Sequence, residues 1–375
     1  RNRLLSLVCV LALLLVSGVA AAEGDTIKVG GLAPLTGDVA VYGIAAQRGV
    51  DLYVEEINAA GGVLGKQVEV IWEDTQGDPA FAISAYNKLV EQDGVVGIIG
   101  GVLSGESKAL AEVSAEDGVP QITPSSTAYD VTTDRPNVFR TCFLDPFQGN
   151  AIANYMAQQG VKKVAVLYDN ATEYSEGLYQ AFKAKSDAEG VEIVATEAAP
   201  YGERDYKTQL TTIKNAGPEA VFLPYYGADA AMVLAQAKEI GLDVRFFGAD
   251  GISDIVDLVT DKSLLTSLVY TDHFTTDAQS EKAVAFVKAF EAEYGKLPSI
   301  SFSATGYDAI LVLLSAIEAA GSTDKDDVVA AIKATDVSAV SGNITFDDHN
   351  DPIKSAFLLT FDAEGNKQFL DQVDP

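Results

Sequence analysis

From residue 26 onward, short apolar runs alternate with stretches in which hydrophobic residues recur at helical spacing. Residues 26–32, 67–72, 95–100 and 120–123 are brief apolar segments of strand length. Between the first two, Ala46, Val50, Tyr53, Val54 and Ile57 recur at steps of three and four, which predicts a helix over 42–59. Gly61-Gly62 stops it. Helices are expected over 79–92 and 104–116. After residue 145 the pattern restarts, with strands over 164–168, 191–194, 220–223, 245–248 and 267–270. Helices near 146–159, 174–189, 205–216 and 228–240 lie between the first of these strands, and 281–294 and 303–320 follow. The last contains Ile310-Leu311-Val312-Leu313-Leu314, apolar nearly all round, and should be buried. Strands alternating with helices predict an α/β fold of parallel sheets covered by helices on both faces. Two consecutive sets of such units predict two similar lobes, with breaks near 143–150 and 271–280.

Residues 1–22 follow another pattern. Arg1 and Arg3 precede an apolar run from Leu4 to Val16, broken only by Ser6, and small residues ending in Ala20-Ala21-Ala22 follow. This order describes a cleaved secretory signal that leaves Glu23 as the N-terminus and sends the protein outside the cytoplasm. The run is shorter than the ~20 residues a membrane-spanning helix needs. Cys9 sits inside it and reads as one of its small apolar residues.

Charge narrows the partners. The 375-residue chain carries a formal net charge of −28; Arg1 and Arg3 supply +2 of it, so the remainder carries −30. A chain this acidic repels phosphate backbones, which argues against nucleic-acid binding. It also lacks the polybasic face that docks on anionic membranes. Beyond the signal only Cys142 remains, so no intrachain disulfide can form, and Cys142 reads as a buried small residue. His273 and His349 have no Cys or His at metal-ligand spacing. Serine-hydrolase, zinc-protease and P-loop motifs are missing. Gly61–Lys66 is glycine-rich but fails the P-loop spacing and reads as a helix stop and turn. No cofactor, metal or enzymatic activity is expected.

The informative positions are turns that follow strands, because the ligand crevice of a parallel sheet lies outside the carboxyl ends of its strands. Gly101-Val102-Leu103-Ser104 follows one strand, with Ser104 placed as a helix N-cap. Pro124-Ser125-Ser126-Thr127 follows the next. Together these hydroxyls and free N–H groups suit a carboxylate. In the second half, Tyr174, Tyr225-Tyr226-Gly227 and Asp250-Gly251 occupy comparable turns. Aromatic rings supply apolar walls with a polar tip, and a carboxylate accepts hydrogen bonds from an ammonium. The set suits a zwitterion.

These residues also carry a resemblance. The stretches Pro34-Leu35-Thr36-Gly37-Asp38 with Tyr42-Gly43, Ile57–Val63, Glu73-Asp74-Thr75, Ile99-Gly100-Gly101 with Ser104, Thr123–Thr127, Tyr174–Gly177, Phe246–Gly251 and Gly306–Ala309 run in order along the chain. In that order they resemble the substrate-binding proteins of branched-chain amino-acid ABC importers. These are the leucine/isoleucine/valine type within the type I periplasmic binding proteins. The resemblance implies two α/β lobes joined by a three-segment hinge: residues 25–144 and 273–348 in the N-terminal lobe, 145–272 and 349–375 in the C-terminal lobe. It implies capture of a small aliphatic L-amino acid by lobe closure, and delivery to the membrane permease of an ABC importer by a monomer. Carried over position by position, Ser104, Ser125 and Thr127 hold the α-carboxylate and part of the ammonium, and Asp250 is the acidic ammonium partner. Tyr174 and Tyr226 face the ligand from the second lobe and Tyr42 from the first, while Val102 and Leu103 line the side-chain pocket. The chain departs from the pattern in two places. Gly77 and Leu103 stand where some members carry a disulfide, and the acidic partner is Asp rather than Glu. The alternatives are the same fold binding an amide, urea or an aromatic acid, or serving as a sensory receptor subunit.

Overall fold

The computed structural model describes residues 26–375; the signal read at 1–22, with Cys9, lies outside the described residues. The first sheet is built from β1 (Ile27–Ala33), α1 (Ala40–Ala59), β2 (Val68–Asp74), α2 (Pro79–Lys88), β3 (Ile98–Gly100), α3 (Ser104–Asp117), β4 (Gln121–Thr123) and β5 (Val138–Arg140). Its strand order is β2-β1-β3-β4-β5 and every pairing is parallel. The chain then crosses into a second set: α4 (Asp145–Gln158), β6 (Lys163–Tyr168), α5 (Glu173–Glu189), β7 (Glu192–Ala198), α6 (Lys207–Ala216), β8 (Ala220–Phe222), α7 (Gly227–Glu239), β9 (Arg245–Gly248) and β10 (Leu268–Asp272). It returns to the first lobe as α8 (Glu281–Tyr294), α9 (Phe302–Ala320), α10 (Lys325–Lys333) and the hairpin β11 (Asp336–Ala339) with β12 (Gly342–Thr345). A third crossing ends in β13 (Ala356–Phe361) and β14 (Lys367–Val373), which complete a sheet of order β14-β13-β10-β9-β8-β6-β7.

Local chemistry accounts for these elements. The Asp78 carboxylate caps α2 by accepting from the backbone N–H groups of Ala80 and Phe81, and Pro79 opens the helix where no N–H is needed. That helix stops at Lys88, earlier than its apolar spacing predicts, because Leu89–Asp93 widen into a π turn that closes on Gly94 at φ 70°. The apolar helix α9 is buried on nearly every side, as its composition requires, and packs along α1. The two backbones touch at Gly49, where a Cβ would stand 1.8 Å from the Ser303 carbonyl oxygen. Any side chain there would drive the helices apart.

Some elements differ from the sequence-based expectation. The three-residue strand β5 and the helix α10 carry too few residues of clear periodicity to have been picked out. The second sheet is not wholly parallel: β13 pairs antiparallel with β10 and β14 antiparallel with β13, and β11–β12 form a separate antiparallel ribbon. Polar groups tie the crossings together. Arg140, at the end of β5, is fully buried and donates from Nε to the Asp351 carboxylate at 2.6 Å, and Thr132 donates to the same oxygen at 2.8 Å. Buried Lys354 donates to the Thr141 carbonyl at 2.7 Å. Removing one member of such a buried pair leaves a charge without a partner, so these contacts fix the path of the hinge.

Candidate functional site

The carboxyl ends of β3 and β4 carry two loops that are sewn to each other. Thr123 Oγ1 donates to the Gly101 carbonyl at 2.6 Å, and Ser125 Oγ donates to the Val102 carbonyl at 2.8 Å. Ser126 Oγ reaches the same carbonyl at 3.1 Å and contacts Ser107 Oγ. Ser104 is not the N-cap expected from the sequence. Leu103 holds that position and Ser104 is the first helical residue, its Oγ accepting from Ala128 N–H at 3.3 Å. The capping is done instead by Glu106, whose Oε1 accepts from the N–H groups of Val102 (2.7 Å) and Leu103 (3.0 Å), while Oε2 accepts from Thr75 Oγ1 at 2.6 Å. Burial raises the Glu106 pKa and these donors oppose the rise. The N–H of Ser104 remains among the helix-end donors that have no intrahelical acceptor. Ser104, Ser125, Thr127 and Val102 are all buried, and Thr127 Oγ1 has no hydrogen-bond partner of proper geometry. Leu103 packs its Cδ1 beside Gly77, so the two positions that replace the disulfide are neighbours.

The second lobe presents Tyr174 from the first turn of α5, Tyr226 from the N-cap of α7, and Asp250 just after β9. The Tyr174 and Tyr226 rings stack at 4.9 Å with an 11° interplanar angle. Burial, then the charges of Asp250 and Asp145, hold both phenols well above their ordinary pKa, so both keep their protons. Tyr174 uses its proton to donate to Asp250 Oδ1 at 2.9 Å and accepts from Gly251 N–H at 2.8 Å. A Cβ on Gly251 would come within 2.7 Å of that hydroxyl, which explains the glycine. Tyr225, beside Tyr226, is core: its single hydroxyl proton is shared between the carbonyls of Ala199 (2.7 Å) and Tyr168 (2.8 Å).

Asp250 opens a short 3-10 turn, but its carboxylate caps no backbone. It is 1% exposed and takes three side-chain donors: Tyr174 and Gln148 Nε2 (2.9 Å) on Oδ1, and His273 Nε2 (3.0 Å) on Oδ2. Sequence reasoning weighed His273 as a metal ligand and did not consider Gln148. His273 lies just beyond β10, its ring 3.7 Å from that of Phe143. Only the fold brings 148, 174, 250 and 273 together. Asp145, the first residue of α4, falls in the break expected near 143–150 and was not singled out as a site residue. It is buried near Asp250, and that burial, with the charge of Asp250, pushes its pKa up to about 8.

The lobes meet through Tyr42. Its hydroxyl donates to the Gly251 carbonyl at 2.7 Å and accepts from Gly227 N–H at 2.9 Å, with Asp254 Oδ1 at 3.1 Å. Burial and the Asp254 charge raise the Tyr42 pKa, so this phenol also stays protonated. Its ring lies 5.6 Å from those of Tyr226 and Phe302. At the rim, Lys108 of α3 reaches Glu173 of α5 at 3.0 Å and Asp130 at 2.6 Å. The structure brings Tyr42 and Val102, with Leu103 packed beside them, into one buried cluster with Tyr174 and Tyr226, and Asp250 joins it through Tyr174; Ser104 and Ser125 stand on the adjoining loops and Thr127 beside Asp145. Cys142 is buried against the Ser126 carbonyl with its thiol pushed up to about 12, which makes it unreactive.

Comparison with known proteins places this geometry. Residues 26–366 match the periplasmic binding protein family. The chain is 33% identical over 331 residues to the leucine-, isoleucine-, valine-, threonine- and alanine-binding protein of Pseudomonas aeruginosa, covering 87% of each chain. It is 32% identical to the branched-chain amino-acid transporter substrate-binding protein LivJ of Streptococcus pneumoniae, solved with isoleucine. That structure superposes with a TM-score of 0.87 over 94% of this chain and all of the other. A solute-binding protein of an R. palustris ABC transporter, solved with benzoate, is 25% identical with a TM-score of 0.83, over 94% of this chain and 97% of that one. With its two sheets and the segments that cross between them, the chain belongs to the type I periplasmic binding proteins of branched-chain amino-acid ABC transporters, which bind solutes and are not enzymes.

Proposed function

We propose that the protein captures a small aliphatic L-amino acid of the branched-chain type between its lobes, outside the cytoplasm, and hands it as a monomer to the permease of an ABC importer. The lobes in this reading are residues 25–144 with 273–348, and 145–272 with 349–375. The observation that carries it is the pairing of unlike chemistries across one cleft. The hydroxyls of Ser104, Ser125 and Thr127, beside the open end of α3, suit a carboxylate. The buried carboxylate of Asp250 on the facing lobe suits an ammonium. Oδ2 of Asp250 has a single donor and therefore one acceptor direction left. Tyr42, Tyr174, Tyr226, Val102 and Leu103 supply the apolar walls. The relatives' named ligands and the isoleucine in the solved relative agree with this reading.

A second reading, an aromatic acid, draws on the three tyrosines and on the three protein donors that already surround Asp250. A thermal-shift screen against the twenty amino acids and benzoate separates the two. Ligand at 100-fold excess over Kd adds about 2.7 kcal/mol to native stability. Stabilisation by leucine, isoleucine or valine supports the first reading; stabilisation by benzoate alone replaces it with the second.

A further inference from the structure

Asp250 is the carboxylate that the family pattern singles out, yet its oxygens already take donors from Tyr174, Gln148 and His273. A second carboxylate at the same place is less well served. Among the described residues, Asp145 Oδ1 accepts only from Gln148 Nε2, at 3.1 Å, and its Oδ2 has no partner of hydrogen-bond geometry although the residue is 1% exposed. Thr127 Oγ1 lies close enough to the Asp145 carboxylate to lower its pKa, but without the geometry of a full hydrogen bond, and the backbone ties the two residues together through Asp145 N–H and the Thr127 carbonyl at 2.9 Å. Gly177 of α5 faces Oδ2 from the other side, where a Cβ would stand 3.2 Å away. A buried carboxylate oxygen without a donor is costly unless something supplies one.

We propose that Asp145 is a second carboxylate of the ammonium subsite, its free Oδ2 taking a hydrogen bond from the same ligand ammonium that Asp250 attracts. The inference rests on the amino-acid reading above and deepens it. One carboxylate comes from the strand end of the second lobe and the other from the first crossing between lobes. An ammonium held by both is therefore bound to the hinge as well as to the closing lobe, and Thr127 sets its distance from the first lobe.

Proton balance follows from the neighbours. The charged and titratable groups around Asp145 are Asp250 after β9, Arg140 at the end of β5, Tyr174 on α5 and Tyr226 on α7, with His273 behind Asp250. Of these, Arg140 favours the ionised form but is already paired to Asp351, while Asp250 opposes it. Before ligand arrives Asp145 is pushed up to about 8 and holds its proton at neutral pH. An entering ammonium favours the carboxylate, so the Asp145 proton leaves to solvent as the N–H···O bond forms. Affinity should then rise with pH up to about 8 and level off above it.

The test is calorimetry with L-leucine as the probe, on wild type and Asp145→Asn, at pH 6.5 in two buffers of different ionisation enthalpy. The expected result is net release of close to one proton per leucine by the wild type, none by the variant, and an affinity at least tenfold weaker in the variant. Leucine binding by the wild type without proton release, together with an Asp145→Asn affinity within threefold, overturns the role of Asp145 and leaves the amino-acid reading intact. Failure of the wild type to bind any of leucine, isoleucine or valine overturns both. If Asp145→Asn does not fold, the proton count of the wild type decides alone.

Discussion

Replacing Tyr42 by Phe removes one oxygen atom from the junction between the lobes and leaves the ring packing in place. That oxygen makes two good hydrogen bonds across the cleft, to the Gly251 carbonyl at 2.7 Å and from Gly227 N–H at 2.9 Å. Both partners are buried when the lobes meet, and water serves them when the lobes part. The loss therefore falls on the closed state alone. A buried hydrogen bond contributes about 0.5–1.5 kcal/mol net, and leaving a donor unmade costs about 1–3 kcal/mol. The closed state should lose about 1–3 kcal/mol, and ligand affinity, which draws on closure, should fall about 5- to 150-fold. Calorimetry and stopped-flow release of the best amino acid give the two readouts; the change should appear mainly as faster release. Small-angle scattering should still show compaction at saturating ligand. An affinity within twofold of wild type, with unchanged release, would mean that Tyr42 does not latch the lobes and that closure draws its energy elsewhere.

Further expectations come from the buried acids. Asp250→Asn keeps the shape of the side chain but sets an amide N–H₂ against one of the donors from Tyr174, Gln148 or His273. Truncating one member of a buried charge pair costs about 2–5 kcal/mol, so amino-acid affinity should drop roughly 30- to several-thousand-fold; calorimetry showing less than a threefold change with the fold intact would put the ammonium elsewhere. Asp145 has a folded pKa of about 8 against about 3.9 unfolded, so the folded state binds its proton more tightly. Its contribution is fully present below pH ~4 and is lost as pH rises through 8. Thermal denaturation without ligand should therefore show Asp145→Asn gaining on wild type steadily from pH 5 to pH 8; a gap that stays constant over that range contradicts the assignment.

Much of the fold was legible because its signals are local. The spacing of Ala46, Val50, Tyr53 and Ile57 specifies α1, and the apolar run around Ile310–Leu314 could only be a buried helix. The antiparallel strands β13 and β14 were not, since nothing local says which edge a late hairpin will join. The positions of Ser125, Thr127, Tyr174, Tyr226 and Asp250 were legible as turns after strands, and all five stand at such turns. What escaped were residues whose importance depends on burial from a distance. Glu106 caps α3 without a Ser or Thr at the N-cap to announce it. His273 and Gln148 meet Asp250 from 23 and 102 residues away. Asp145 sits in an Asp-Pro pair inside the break expected near 143–150, where nothing local announces a buried carboxylate.

The central claim is that the cleft recognises both charges of an amino acid at once. Titration of the purified protein with L-leucine, 4-methylpentanoate and 3-methylbutylamine tests it directly, because the three share an apolar body and differ in which charged groups they carry. The account predicts that leucine binds and that each analogue, lacking one charge, binds at least thirtyfold more weakly. Equal binding of 4-methylpentanoate and leucine would contradict it, because no ammonium would then be held by Asp250 or any other carboxylate of the cleft.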